Sequence, residues 1–358
     1  MAAASEDTPP VDVTVVIPTY NRPDLLRETV DSVLAQTRPA REIIVVDNGS
    51  NNETQLMLRE VYGDRVSSIK INPVGQQAAR NAGFAAATST WLATLDDDDL
   101  YRPTFLEAVG QIIDDGRANM ISSDHRKFQH PHGNGVVAPN TNAENAPDGY
   151  WSGIPRPEDG QDWSYVGTFP VERLIRFNGF YTSTLVMRRD LIDQLGGYDP
   201  RVRGIKCEDL EMLSRALPIA RLAFIWKDLV EYRRHDSNTT IGPFAIRYGR
   251  WRIFEFVYRQ NVHGSPAYAA ALEEALPKLR VRVFDLAFRQ KQFDVMAEAA
   301  DKFRPEDWTV IRKFQARVAK LPRPLAGSVV RAVAPLQRGG RAYDTNAMRR
   351  WQLMPTKN

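Results

Sequence analysis

Cysteine is almost absent from this chain of 358 residues. Cys207 stands alone, so no intrachain disulfide can close and a cysteine-based zinc site is excluded. Long apolar runs are missing too: no stretch approaches the roughly 18 residues that a membrane span requires. Met1 to Pro10 is polar and lacks an apolar core, so it reads as a flexible leader and not as a signal peptide. A cytoplasmic protein is the expectation. Histidine is scarce, and His125, His130 and His132 lie beside Pro131 and Gly133 at loop-like spacing, unlike ligands on one helix. Net charge is only +3, but it is uneven. Residues 301–358 carry 13 Lys/Arg against 4 Asp/Glu, which leaves the first 300 residues acidic. A basic tail on an acidic body can draw anionic lipid, nucleic acid or a partner protein. Peripheral contact at the inner face of a membrane and a plain solvated helical surface both stay open, as does a homodimer through the C-terminal helices; no nucleic acid partner is expected.

Glycine is missing from the turn Pro18-Thr19-Tyr20-Asn21-Arg22-Pro23. A dinucleotide-binding domain needs a glycine-rich turn after its first strand, and so does a nucleotidyltransferase of related architecture; both are disfavoured. What is present is an alternation of strands and helices. Val13–Pro18, Glu42–Asp47, Ser68–Ile71 and Trp91–Leu95 read as strands, short, apolar and punctuated by turns. Between them, Arg22–Gln36, a segment ending near Tyr62, and Gln76–Ala87 show helical spacing. This order calls for a mostly parallel sheet, which binds ligands beyond the carboxyl ends of its strands. Thr19-Tyr20-Asn21, Asp47 and Asp96–Asp99 all fall at those ends. Residues 125–170 read as a long loop whose Tyr150, Trp151, Trp163, Tyr165 and Phe169 either contact an acceptor or pin the loop to the core. Tyr181–Met187 reads as a strand, and Asp190–Leu195 and 208–217 as helices. From 244 to 320 the chain reads as helices, with Pro322 and Pro324 breaking the pattern before the basic tail.

Four consecutive aspartates, Asp96 to Asp99, follow the strand Trp91–Leu95. Ionising four adjacent carboxylates is costly without a counter-cation. At the end of a buried strand, a divalent metal and a polyphosphate could neutralise each other there; a solvated acidic turn is the plainer alternative.

Val16-Ile17-Pro18-Thr19-Tyr20-Asn21-Arg22, Ile44–Ser50, Ala79-Arg80-Asn81-Ala82-Gly83, Leu95–Asp99 and Glu208-Asp209 occur in order. Together they resemble the ordered motifs of the family 2 glycosyltransferases, over about residues 11–240. The resemblance implies an α/β fold of GT-A type, with a mostly parallel central sheet flanked by helices; a C-terminal helical extension would follow. It implies inverting transfer of a sugar from a nucleoside diphosphate sugar, with Mn²⁺ or Mg²⁺. The uridine diphosphate sugars are the default donor, and a saccharide, a lipid-linked molecule or a small molecule is the acceptor. Pro18, Thr19 and Tyr20 would line the nucleoside pocket. Asp47 would read the base, or would cap its turn. Arg22 would touch phosphate, or would be a solvated charge at a helix start. Arg80 and Asn81 resemble the donor-binding pair. Within the D-x-D pattern, Asp96 would face the ribose and Asp98 would hold the metal, while Asp97 and Asp99 are ambiguous between ligand and structural roles. Asp209 would be the general base and Glu208 would orient the acceptor, unless both are helix N-terminal acids. His235, within Tyr232-Arg233-Arg234-His235, would be a further metal ligand or a diphosphate contact. The chain then divides into a leader (1–10), a nucleotide-sugar half (11–100), an acceptor half (101–243) and a helical accessory region (244–358). A non-catalytic nucleotide-sugar-binding relative and a metal-dependent nucleotidyltransferase are the competing classes.

Overall fold

The computed structural model describes residues 9–49, 51–129, 138–234, 242–261 and 264–333. They fall into two compact units. The first holds the α/β sheet, and the second takes in residues 236–260 and everything from Ala269 onward.

In the first unit, β1 (Val11–Thr19) lies between β2 (Ala40–Asp47) and β4 (Trp91–Thr94), with β3 (Ser67–Lys70) beyond β2, all four parallel. Val13, Val15, Val16, Ile17, Val45 and Val46 are buried, the near-continuous apolar pattern of strands covered on both faces. The covers are α1 (Pro23–Leu34), α2 (Asn52–Tyr62) and α3 (Gln76–Ala86). Helix α1 starts on proline at its first position, where a missing N–H is harmless. Helix α2 is capped by Asn51, whose side chain accepts the Glu53 N–H at 3.2 Å. Helix α3 lies close on the sheet because Gly83 has no side chain: a Cβ there would come within 2.2 Å of Val16.

The sheet continues through β8 (Val186–Arg188), β6 (Met120–Gln129) and β9 (Leu222–Arg234), with β5 (Leu100–Tyr101) and β7 (Trp163–Gly167) pairing with β9. Strands β6 and β9 run with the first four; β5, β7 and β8 oppose their neighbours. The sheet is thus mostly parallel, as expected. Helices α4 (Phe105–Asp115), α5 (Arg189–Leu195) and α6 (Asp209–Ala216) complete the unit. Helices α4 and α5 both stop on a left-handed glycine, Gly116 and Gly196.

Two sequence expectations change. The segment 125–170 is not one loop: β6 runs through its first residues and β7 lies near its end, while 130–137 fall outside the described residues. Its aromatics also pin it down. Tyr150, Trp151, Trp163 and Phe169 are buried, and Tyr150, Trp151 and Phe169 pack with one another and, between them, with Phe180, Phe224 and Trp226. The predicted strand 181–187 is a 3-10 turn at Thr182–Thr184 followed by β8. The Thr184 hydroxyl donates to the Tyr181 carbonyl at 2.7 Å, so it bonds the local backbone and favours a turn.

The second unit is helical: α7 (Gly242–Arg259), α8 (Pro266–Arg289), α9 (Phe293–Ala300), α10 (Val310–Ala319) and α11 (Arg323–Val333), with the start of α8 assigned to the first unit. Trp251, Phe254, Phe284 and Phe288 are buried in it. Buried Glu255 is held by Arg259, Arg280 and Lys302, and this cationic set keeps its carboxyl below the usual range despite burial. The helical pattern breaks at residues 320–322, between α10 and α11, and Pro324 lies in the first turn of α11.

Candidate active site

Strand ends position the acidic turn. Val16↔Thr94 is the last β1–β4 pair and Thr19↔Asp47 the last β1–β2 pair, so Thr19, Asp47 and the aspartates after β4 leave the sheet on one edge. Pro18 lies past the last β1–β4 pair, where an absent N–H removes nothing from that ladder. Asn21 takes a left-handed backbone (φ 53°), and its side chain accepts the Asn51 N–H at 2.9 Å. Tyr20, beside it, is 53 % exposed.

The turn closes through the Asp99 N–H to the Asp96 carbonyl at 3.1 Å. Each carboxylate has an internal partner, and Asp97 and Asp98 share one. Asp96 accepts Arg80 Nη2 at 2.7 Å and the Tyr181 hydroxyl at 3.4 Å. Asp97 accepts the Thr19 hydroxyl at 2.7 Å and Arg22 Nη1 at 3.2 Å. The same Arg22 nitrogen reaches Asp98 at 2.9 Å. Asp99 is fully buried, taking the Ser183 hydroxyl at 2.6 Å and the Arg233 N–H at 3.0 Å. The Ser183 oxygen in turn accepts the Asp96 N–H at 3.1 Å, so one hydroxyl ties both ends of the turn.

Burial raises the carboxyls of Asp96, Asp97 and Asp99, and neighbouring acids add to it; Asp97 reaches about 7 even with Arg22 beside it. Burial works against the charge on Arg80, but Asp96, Tyr198 and Glu208 outweigh it and hold the guanidinium above its ordinary range. Arg80 is buried, with its second nitrogen, Nη1, on Glu208 at 3.2 Å. It therefore joins the acidic turn to the start of α6. There Asp209, partly exposed, accepts Asn178 Nδ2 at 2.7 Å. Burial raises its carboxyl to about 7, with Glu208 adding repulsion and the Asn178 bond opposing it.

The predicted residues thus separate. Thr19, Arg22, Arg80, Asp96, Asp97, Asp98 and Glu208 form one connected network, with Asp209 adjoining Glu208. Asp47 is buried and accepts Gln55 Nε2 at 3.0 Å. Asn81 turns its carboxamide to Tyr198, donating to its carbonyl and accepting its N–H, both at 2.8 Å; it fixes the loop before α6. Arg22, open between phosphate and solvent in the sequence reading, binds the aspartates. Arg233 is buried, with Nε on the Asp98 carbonyl at 2.8 Å and Nη2 on Glu28 at 2.8 Å. Asn178 went unnoticed in the sequence; as one asparagine in an aromatic-rich segment it carries no spacing signal. His235 lies outside the described residues.

Among the described residues no group of three or more His, Cys, Asp or Glu is arranged to hold a metal ion. The acidic turn offers single carboxylates already engaged with Arg22 and Arg80, which is a partial ligand set and not a closed cage. Mg²⁺ commonly takes one or two carboxylates and completes its shell with water and substrate phosphates, and an open set suits that mode.

Comparison with known proteins agrees with this architecture. Residues 14–173 match the model of the family described as glycosyl transferase family 2. The succinoglycan biosynthesis protein ExoO of Rhizobium meliloti is 34 % identical over 126 residues, 33 % of this chain and 36 % of that protein. An uncharacterized glycosyltransferase of Rickettsia typhi is 26 % identical over 231 residues, 64 % of this chain and 65 % of its own length. The matches to the first curated relatives span about a third of their length, 32 %, 36 % and 30 %. The crystal structure of S. aureus TarS 1-349 in complex with UDP-GlcNAc is similar with a TM-score of 0.57 at 15 % identity, over 92 % of this chain and 93 % of that one. No described helix is long and apolar enough to cross a membrane.

Proposed function

We propose that this chain, whose residues 14–173 match the model of glycosyl transferase family 2, is a glycosyltransferase of that family and transfers a sugar from a nucleoside diphosphate sugar to an acceptor hydroxyl, with inversion at the anomeric carbon. The observation that carries the reading is Asp209: a carboxyl raised to about 7, one residue from a glutamate that Arg80 links to the acidic turn. A base with that affinity is deprotonated about half the time at neutral pH and still binds a proton well. Inversion in one displacement needs such a base opposite the leaving group, to take the proton as the acceptor oxygen attacks. Asn178 holds one Asp209 oxygen at 2.7 Å and so fixes the orientation of the carboxylate.

Thr19, Tyr20 and Asp47 sit where a nucleoside can lie against the strand ends, with Tyr20 exposed for stacking. Asp47 is the base-reading carboxylate in this proposal, presented by Gln55. UDP-sugar is the proposed donor, a reading favoured by the likeness to TarS bound to UDP-GlcNAc. Asp98 is the residue that would hold Mn²⁺ or Mg²⁺ once Arg22 yields it, and the ion would neutralise charge on the departing diphosphate. Arg22, released, would supply a cation for the same phosphates. A saccharide acceptor in polysaccharide assembly accords with the ExoO likeness.

Thermal unfolding with UDP, TDP or GDP, each with and without Mn²⁺, tests the donor half. A metal-dependent rise in Tm with UDP is expected, and no rise with any diphosphate would remove the reading. Asp209→Asn should keep that rise and lose transfer; transfer at the wild-type rate would remove Asp209 as base.

A further inference from the structure

Of the six exposed large apolar side chains described in the helical unit, five lie on α10, its connection to α11 and the start of α11. Helix α10 buries Gln315 and Val318 but leaves Val310, Ile311 and Phe314 exposed by 85 %, 63 % and 47 %. Leu321 in the following connection and Leu325 in the first turn of α11 are exposed by 42 % and 57 %. Scattered exposed leucines are ordinary; five large apolar side chains on one short helical hairpin are not.

Charge singles out the same stretch. From Thr309 to Val333 the chain has Arg312, Lys313, Arg317, Lys320, Arg323 and Arg331, and no Asp or Glu. Arg312 is spent inward on Asp285, and Arg323 pairs with Asp294. Lys313, Arg317 and Lys320 are exposed at three- and four-residue spacing, on one side of the helix beside Val310 and Phe314.

We propose that α10 and the α10–α11 connection dock on an anionic lipid surface. The apolar side chains would enter the headgroup–acyl boundary while Lys313, Arg317 and Lys320 remain among the lipid phosphates. Charge complementarity selects this occupant. A nucleic acid would use the cations and leave Val310 and Ile311 in water. A second copy docked face to face would set this cationic stretch against the same stretch of its partner, with no acid in either to answer the charge. The inference does not depend on the reading of Asp209.

Sedimentation of the full chain with phosphatidylcholine vesicles, with and without phosphatidylserine, tests it. Binding only to the anionic vesicles is expected, weakening as salt rises. Val310→Ser with Phe314→Ser, and separately Lys313→Glu with Lys320→Glu, should each weaken it about tenfold or more. All four positions are exposed, and an unchanged Tm confirms that the fold persists. The serine pair tests insertion itself, since it leaves every cation in place. Equal binding to both vesicle types, no binding, or wild-type binding by the serine pair would overturn the proposal. So would a lipid-free oligomer, seen by analytical ultracentrifugation, that the serine pair dissociates.

Discussion

Arg80 and Glu208 lie 128 residues apart in the chain, and their side chains meet at 3.2 Å. The guanidinium is buried, and its other terminal nitrogen holds Asp96 at 2.7 Å. One cation therefore answers an acid from each side of the site. Truncating it leaves two largely buried carboxylates without that partner. Arg80→Met should lower unfolding free energy by about 3–5 kcal/mol, as breaking a buried ion pair does. Chemical denaturation measures this, and Arg80→Lys should rescue only part, because an ammonium cannot span both acids as a planar fork does.

A base that titrates near 7 writes itself into the pH profile. With Asp209 deprotonated in the reactive form, kcat/KM should rise with pH through about 7. Two substitutions should move that limb in opposite directions. Asn178→Ala removes a bond that favours the carboxylate, so the limb moves to higher pH. Glu208→Gln removes a repelling charge, so the limb moves to lower pH. Movement of both in one direction would contradict the assignment.

Stability should follow the acidic turn with the opposite sign to most proteins. Asp97 is raised to about 7 in the fold, against about 3.9 for a free aspartate. Between those values the folded state binds more protons than the unfolded chain, so stability falls as pH rises from about 4 to about 7 and levels off above. Asp97→Asn should flatten that slope in a series of Tm measurements across the window.

The contact of α3 with the sheet leaves no room at Gly83. Gly83→Ala would put a methyl within 2.2 Å of Val16 and 3.1 Å of Val46. A loss of about 1–3 kcal/mol, the usual cost of overpacking, is expected from urea titration.

The sequence made the first four strands and the edge they share legible, because buried parallel strands are short, β-branched and ended by turn residues. Strand β9 was not read from it. Its first residues, Leu222 to Trp226, are apolar, but the strand continues through Lys227, Asp228, Glu231 and Arg233, and its pairing with β6 shifts register around Asp124. Mixed polarity of that kind hides a strand whose place is set by its partners. Ser183 and Thr184 misled for a related reason: their composition suits a strand, yet their hydroxyls bond the turn. Within the site, the acidic residues were visible as residues, whereas what neutralises them was not. Arg22 is about 75 positions from Asp97, and Arg233 is 134 from Asp99; neither separation leaves a local pattern.

The bond from the Arg233 N–H to Asp99 also bears on the order in which this molecule assembles. A contact that closes so long a loop forms late, since the entropy of bringing its ends together must be met before the bond contributes. The early strands and their helices can associate through nearer neighbours. The acidic turn gains its Arg233 anchor only when the far end of β9 arrives, so in refolding, recovery of the site should trail formation of the first four strands.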